Sequence, residues 1–162
     1  MILSHCSHDA VLYVARNMRE RDKQEIYGLR FEENPFHVVN DVMARSNFSW
    51  VAWLDDKPQA VFGGGEVRPG VWSMFAFATD EFPRLALGLT RFATKTVIPT
   101  LFGELGAHRL QCESHEAHAD AHRWLELLGA GQEAVLRGYG KDGSNYLLFA
   151  ICKGIDKPDK IA

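Results

Sequence analysis

Apolar residues change their spacing along this chain, and each change marks an element. Ile2–Cys6 is short and apolar and predicts a strand. Ser7 and Asp9 then offer N-cap side chains, and Val11, Val14, Ala15 and Met18 recur at helical spacing, predicting a helix to about Asp22. Lys23–Leu29 reads as a further turn closed by Gly28. Pro35 suits the first turn of another helix, with Val38, Val39, Val42 and Met43 as its stripe and an end near Ser46.

From Ser49 the pattern becomes aromatic and β-branched. Ser49–Leu54 predicts a buried strand, Asp55–Pro58 a turn, and Gln59–Val67 a second strand folded back on the first. Gly63, Gly64 and Gly65 inside that strand point to a bulge or a close backbone approach. Pro69 and Gly70 turn the chain into a third strand, Val71–Ala78. Between Pro83 and Leu105, Leu85, Leu89, Phe92, Ala93 and Thr96 share one helical face, and Pro99 kinks or splits the helix. His108–Ser114 reads as a strand. His118–Leu128 reads as an amphipathic helix with Ala121, Trp124, Leu125 and Leu128 inward and Gly129 as its stop. Gln132–Arg137 and Asn145–Cys152 form a closing hairpin across a glycine-rich connection.

The order β-α-α-β-β-β-α-β-α-β-β predicts an α/β fold. Its centre is a mixed, mostly antiparallel sheet of six or seven strands, with helices on both faces. One domain is expected over residues 1–152, with a flexible polar tail over 153–162.

Composition narrows the function classes. The net charge is -3 and the 18 Lys and Arg are scattered, which gives no basic groove for phosphate backbones, so no nucleic-acid partner is expected. The one dense stretch, Arg16 to Lys23, is neutralised by Glu20, Asp22 and Glu25 and reads as a solvated helix face. Three widely spaced cysteines, Cys6, Cys112 and Cys152, form neither a disulfide framework nor a CxxC zinc pattern. No leader and no membrane-length apolar run is found, so a cytoplasmic protein without a membrane partner is expected.

The element order and two motifs resemble the GNAT superfamily of acetyl-CoA-dependent N-acyltransferases. Residues 118–129, HADAHRWLELLG, are similar to the family helix Asn-x-x-Ala-x-x-aromatic-Tyr-x-x-Leu-Gly, with Ala121, Trp124, Leu128 and Gly129 on pattern. The hairpin RGYGKDGSNYLLFA resembles the family's last two strands. Residues Met18–Ile26, Trp72–Ala76 and HRWLELLG also resemble phage-encoded GNAT-like proteins, some of them internal virion components.

That resemblance implies a donor, acetyl-CoA or another acyl-CoA, and an amine acceptor. It implies no metal. A second copy of the chain or phage virion proteins would be macromolecular partners, in the host cytoplasm or the virion. Backbone groups of Phe77, Ala78 and Thr79 would hold the pantetheine arm, with Arg84, Gly88 and His118 also at the cofactor. The family's pyrophosphate loop reads Gln/Arg-x-x-Gly-x-Gly/Ala, where helix N–H groups meet phosphate. Here it is TDEFPRLALG: Leu87 and Leu89 replace the glycines, Gly88 is out of register, and Asp80 and Glu81 add negative charge. The tyrosine that protonates the departing thiolate in the family falls at Leu125, and the helix-initial asparagine is His118. Two functions therefore stand: an N-acyltransferase, and a non-catalytic GNAT-like phage protein that has lost acyl-CoA binding.

Amine acylation needs a base for the ammonium proton. Glu66, Glu113 and His115 are the candidates, and each also reads as an ordinary strand or loop residue. His118 and His122 stand at i, i+4 near His115, but the order HEAHADAH is not HExxH, so a surface histidine cluster is the plainer reading. Cys112 reads as a small mid-strand residue, and the tryptophans as sheet core. The acyltransferase reading requires Val71–Ala78 and His108–Ser114 to lie side by side and to part at one end, leaving a slot for the acyl group.

Overall fold

The computed structural model describes residues 1–45 and 48–157. The expected end of the helix near Ser46, and residues 158–162 of the expected tail, lie outside the described residues. Seven strands form one mixed sheet, mostly antiparallel, in the order β1-β2-β3-β4-β5-β7-β6. The chain divides into two compact units, one built from Met1–Gly65 with Met74–Gly88, the other from Glu66–Ser73 with Leu89 onward.

In the first unit β1 (Ile2–His5) pairs antiparallel with β2 (Phe48–Leu54), which pairs antiparallel with β3 (Lys57–Arg68). The β2–β3 turn is tight because Asp55 and Asp56 both take positive φ, 51° and 57°. That is the twist a two-residue hairpin needs, and aspartate tolerates it better than most residues. The register slips where Ala52 faces Ala60 and Trp53 faces Pro58, so the extra residue is Gln59, and the bulge lies in the glycine run's own strand but before the run. Gly63 answers the other half of the expectation. A Cβ there would lie 2.5 Å from the Phe48 carbonyl oxygen and 2.5 Å from Ser49 Cβ, so only glycine fits.

The helix expected to reach Asp22 is two helices, α1 (His8–Arg16) and α2 (Glu20–Tyr27). Ser7 caps α1 by accepting the Ala10 N–H at 3.4 Å. At its other end Asn17 takes up the last turn, its Nδ2 donating to the Tyr13 carbonyl at 2.8 Å. Arg19 is extended (φ -53°, ψ 151°), and its N–H leaves the helical ladder for the carbonyl of Ala78 at 2.9 Å. A tertiary bond thus overrides the helical pattern. In α3 (Pro35–Arg45) Val38, Val39 and Val42 are buried, while Met43 is exposed. Val11, Val14, Val38, Val39, Val51, Val61 and Phe77 centre this unit's core.

In the second unit the start of β4 (Val71–Ala78) lies parallel to β5 (Arg109–His115), with Val71, Trp72 and Ser73 opposite Arg109, Leu110 and Gln111. Next to β5 runs β7 (Tyr146–Cys152), antiparallel, and then β6 (Gly131–Leu136). Gly70 makes the turn before β4 with φ 73°. Its carbonyl accepts the His108 and Arg109 N–H groups at 2.8 and 3.1 Å.

Pro99 divides the long helix as expected, but through a π-helical turn at Ala93–Val97 between α4 (Phe82–Phe92) and α5 (Ile98–Gly103). A proline ring clashes with the carbonyl four residues back, and the wider turn relieves it. The buried positions of this helix, Leu85, Leu89, Ala93, Val97 and Leu101, recur at every fourth residue. A regular helix would carry that stripe round by about 40° per step at 3.6 residues per turn. The π turn takes up the drift, and Thr96, expected inward, is exposed instead. The last helix, α6 (Ala119–Leu127), is only half buried on its Ala121, Trp124 and Leu125 side, with Trp124 Nε1 donating to Thr90 Oγ1 at 2.9 Å.

Candidate functional site

The first unit brings five of the expected cofactor residues together at the end of β4: Phe77, Ala78, Thr79, Arg84 and Gly88. Phe77, Ala78 and Thr79 are buried. Strand alternation sets where their backbone groups point. Thr79 N–H donates to the Gln59 carbonyl of β3 at 2.9 Å, so the Ala78 amide faces the opposite way. There Asp22 Oδ2 accepts the Ala78 N–H at 2.7 Å, and the Ala78 carbonyl accepts the Arg19 N–H at 2.9 Å. The Thr79 hydroxyl donates to Gln59 Oε1 at 2.6 Å and accepts the Glu81 N–H at 3.3 Å.

Asp22, expected on a solvated face, is 2% exposed. A carboxylate this deep needs charge and hydrogen bonds around it. Arg19 supplies both, with Nη2 to Oδ1 at 2.8 Å and Nε to Oδ2 at 3.3 Å. The Arg19 guanidinium also covers the Phe82 ring at 4.4 Å.

Arg84 stands at the surface with its guanidinium between Glu81 (2.8 Å) and Asp55 (3.0 Å). Its hydrogen bonds to Glu81 and then to Asp55 hold its proton more tightly than usual. Its charge is matched locally by two carboxylates. Gly88 faces Met1: a Cβ there would meet Met1 Cε at 2.8 Å. Leu87, at the position of a family glycine, is exposed.

The second unit holds Glu66, Glu113, His115 and His118. Glu66 Oε1 accepts the Gly70 N–H at 2.7 Å, closing the turn between β3 and β4. Glu113 and His115 are two residues apart on β5 and so share one face of the sheet, opposite Leu148 and Tyr146 of β7. Glu113 is half-buried. His115 is buried, its Nδ1 accepts the Ala117 N–H at 3.1 Å, and its ring meets Tyr146 edge-on at 5.2 Å.

Tyr139, in the loop after β6, also packs edge-on with Tyr146 at 5.7 Å. Burial and the nearby Glu113 charge push the Tyr139 phenol up. His115, His118 and His122 gather around one carbonyl. His118 N–H donates to the His115 oxygen at 2.9 Å, and His122 Nε2 lies 3.0 Å from the same oxygen. Burial pulls the His122 imidazole down, against the opposing pull of that carbonyl, and its ring stacks on Phe149 at 5.3 Å. Among the described residues no group of three His, Cys, Asp or Glu could hold a metal ion. No helix among them is long and apolar enough to cross a membrane.

Sequence reasoning missed Arg19, Asp22, Gln59 and Asp55 at the first location and Tyr139 at the second. Asp22 at i+3 from Arg19 carried a pairing signal, but its neighbours Glu20, Arg21 and Lys23 masked it.

No protein-family model matches the chain, and no curated protein sequence matches it. Solved structures do. The ribosomal-protein-S18-alanine N-acetyltransferase from Escherichia coli superposes with a TM-score of 0.69 at 15% identity, covering 99% of both chains. An acetyltransferase of the GNAT family from Bacillus anthracis gives 0.69 at 15% identity over 93% of each. AAC(6')-Ib in complex with ribostamycin and coenzyme A gives 0.64 at 15% identity, covering 93% of this chain and 92% of that one. The chain has the fold of these acetyltransferases.

Proposed function

We propose that this protein is a GNAT-type N-acyltransferase that moves an acyl group from acyl-CoA to an amine. The observation that carries the reading is the likeness to acetyltransferases over nearly the whole chain, 99% of both partners in one case. The parallel neighbours β4 and β5 support it, because the family's donor lies along the strand that β4 matches.

Glu113 is the base. Glu66 is committed to the Gly70 amide, whereas Glu113 is half-buried beside His115 and Tyr139. It takes the ammonium proton, directly or through water, and the freed amine attacks the thioester carbonyl. The tetrahedral adduct collapses to the amide and expels the CoA thiolate, which is then protonated. A backbone N–H of β4 would steady the oxyanion.

A second reading, a GNAT-like phage virion or assembly protein without acyl-CoA binding, is favoured by one observation. Arg84 is neutralised by Glu81 and Asp55 where a pyrophosphate would need it. Thermal shift with acetyl-CoA separates the two. A ligand at a hundredfold its Kd stabilises by about 2.7 kcal/mol. An upward shift that saturates supports the transferase, and none at millimolar CoA supports the virion protein. If CoA binds, Glu113→Gln lowers kcat/KM by about a hundredfold or more, the usual worth of a general base.

A further inference from the structure

The Ala78 amide and carbonyl together form a short hydrogen-bonding edge turned away from β3. An extended chain carrying amides, such as a pantetheine arm, would pair with an edge of that kind. The protein's own residues already do so. Asp22 Oδ2 accepts the N–H at 2.7 Å, and the Arg19 N–H donates to the carbonyl at 2.9 Å, reproducing the acceptor-and-donor pattern of a bridging strand.

The occupant is firmly built. Asp22 is 2% exposed, its two oxygens are both bonded by Arg19, and the Arg19 guanidinium lies on Phe82. It is also separable from the rest. Arg19 is extended between the C-cap of α1 at Asn17 and the start of α2, and that non-helical junction is where the dihedrals would have to change for Arg19 and Asp22 to leave β4. Charged acceptors hold a backbone N–H about twice as strongly as neutral ones, so a neutral amide of the donor competes at a disadvantage.

We propose that the Arg19–Asp22 turn is a latch that occupies the donor edge of β4, so that acyl-CoA binding and the Asp22–Ala78 bond are mutually exclusive. This rests on the transferase reading for the identity of the competing ligand. The apparent affinity for CoA is then the intrinsic affinity reduced by the fraction of molecules with the latch open.

Coenzyme A binding to the full chain and to two variants tests the latch by titration calorimetry. Asp22→Asn keeps the side-chain size but removes the charge, and Asp22→Ser is too short to reach Ala78. Circular dichroism confirms that each retains the fold, with the isosteric Asn variant deciding if Ser does not. Hydrogen exchange at the Ala78 amide reports the latch directly. The expected result is tighter CoA binding by tenfold or more in the variants, with the Ala78 amide protected in the free native protein and exchanging faster in the free variants. Equal or weaker CoA binding by the variants overturns the latch and leaves the transferase reading standing. An absence of CoA binding in all three proteins, with the Ala78 amide exchanging freely in the variants, overturns both.

Discussion

The ends of β4 and β5 carry several of the candidate site residues, and they treat polar groups in opposite ways. At the end of β4 the polar groups are answered by residues distant in sequence, Asp22 accepting the Ala78 N–H and Gln59 the Thr79 hydroxyl, and the surface cation Arg84 is clasped by Asp55 and Glu81. At the end of β5 the polar groups ring an aromatic pair. His115 and Tyr139 lie against Tyr146, His122 lies on Phe149, and Glu113 stays half in water. A closed hydrogen-bond network rigidifies a segment and lowers its appetite for a new ligand. An open carboxylate beside aromatic faces keeps its capacity to meet a cation. One sheet thus closes its polar groups at one strand end and leaves a carboxylate half in water at the other.

The largest test of that contrast removes the aromatic support. Tyr146 is fully buried, and Tyr146→Ala is expected to cost about 3–5 kcal/mol, as excision of a large core aromatic does. Urea unfolding measures it. If the loss is instead below about 1 kcal/mol, the β5 end is loosely packed and the contrast fails. The matching excision at β4 is smaller. Thr79→Val keeps the shape but leaves Gln59 Oε1 without its 2.6 Å bond, which should cost about 1–3 kcal/mol. A negligible change there would mean that water replaces the hydroxyl and that the β4 network is open after all.

Much of the fold was legible because its punctuation is local. Paired aspartates and prolines or glycines set the hairpins around residues 55–58 and 69–70, and valines at helical spacing set α1 and α3. Gly63 announced a close approach, and only its partner, Ser49 and the Phe48 carbonyl, needed coordinates. The break between α1 and α2 was not legible, because the bond that draws Arg19 out of the helix goes to Ala78, far along the chain. The π turn was half legible: Pro99 forced an interruption but not its form. The candidate site divided the same way. Glu113 was legible as a strand residue, whereas His115, expected in the loop after the strand, is the buried last residue of β5. Asp22 could not be told from its solvated neighbours, since charge in sequence does not reveal burial.

Two smaller effects sharpen the contrast. At the β5 end His122 has its proton affinity lowered, first by burial. Below about pH 6.5 the unfolded chain takes up a proton there more readily than the native one. Stability is therefore lost as the pH falls from about 6.5 towards the folded-state value, at no more than about 1.4 kcal/mol per pH unit for one proton. His122→Phe should flatten that part of the urea-midpoint curve relative to the native protein. An unchanged slope would place the imidazole in water and remove burial as the distinguishing property of the β5 end.

The smallest effect concerns Arg84 and takes the transferase reading as its premise. Both of its partners are at the surface, so Arg84→Ala should leave the urea midpoint where it is. What the two carboxylates withhold is charge, not stability. Replacing them together, Asp55→Asn with Glu81→Gln, leaves an uncompensated cation at the start of α4. Coenzyme A should then bind about two- to fivefold more tightly, the worth of one exposed ion pair, and the gain should vanish in high salt. If the gain survives salt, it does not come from Arg84 meeting phosphate. If there is none, the neutralised arginine is not what sets the β4 end apart, and the Arg19–Asp22 turn remains as the cause.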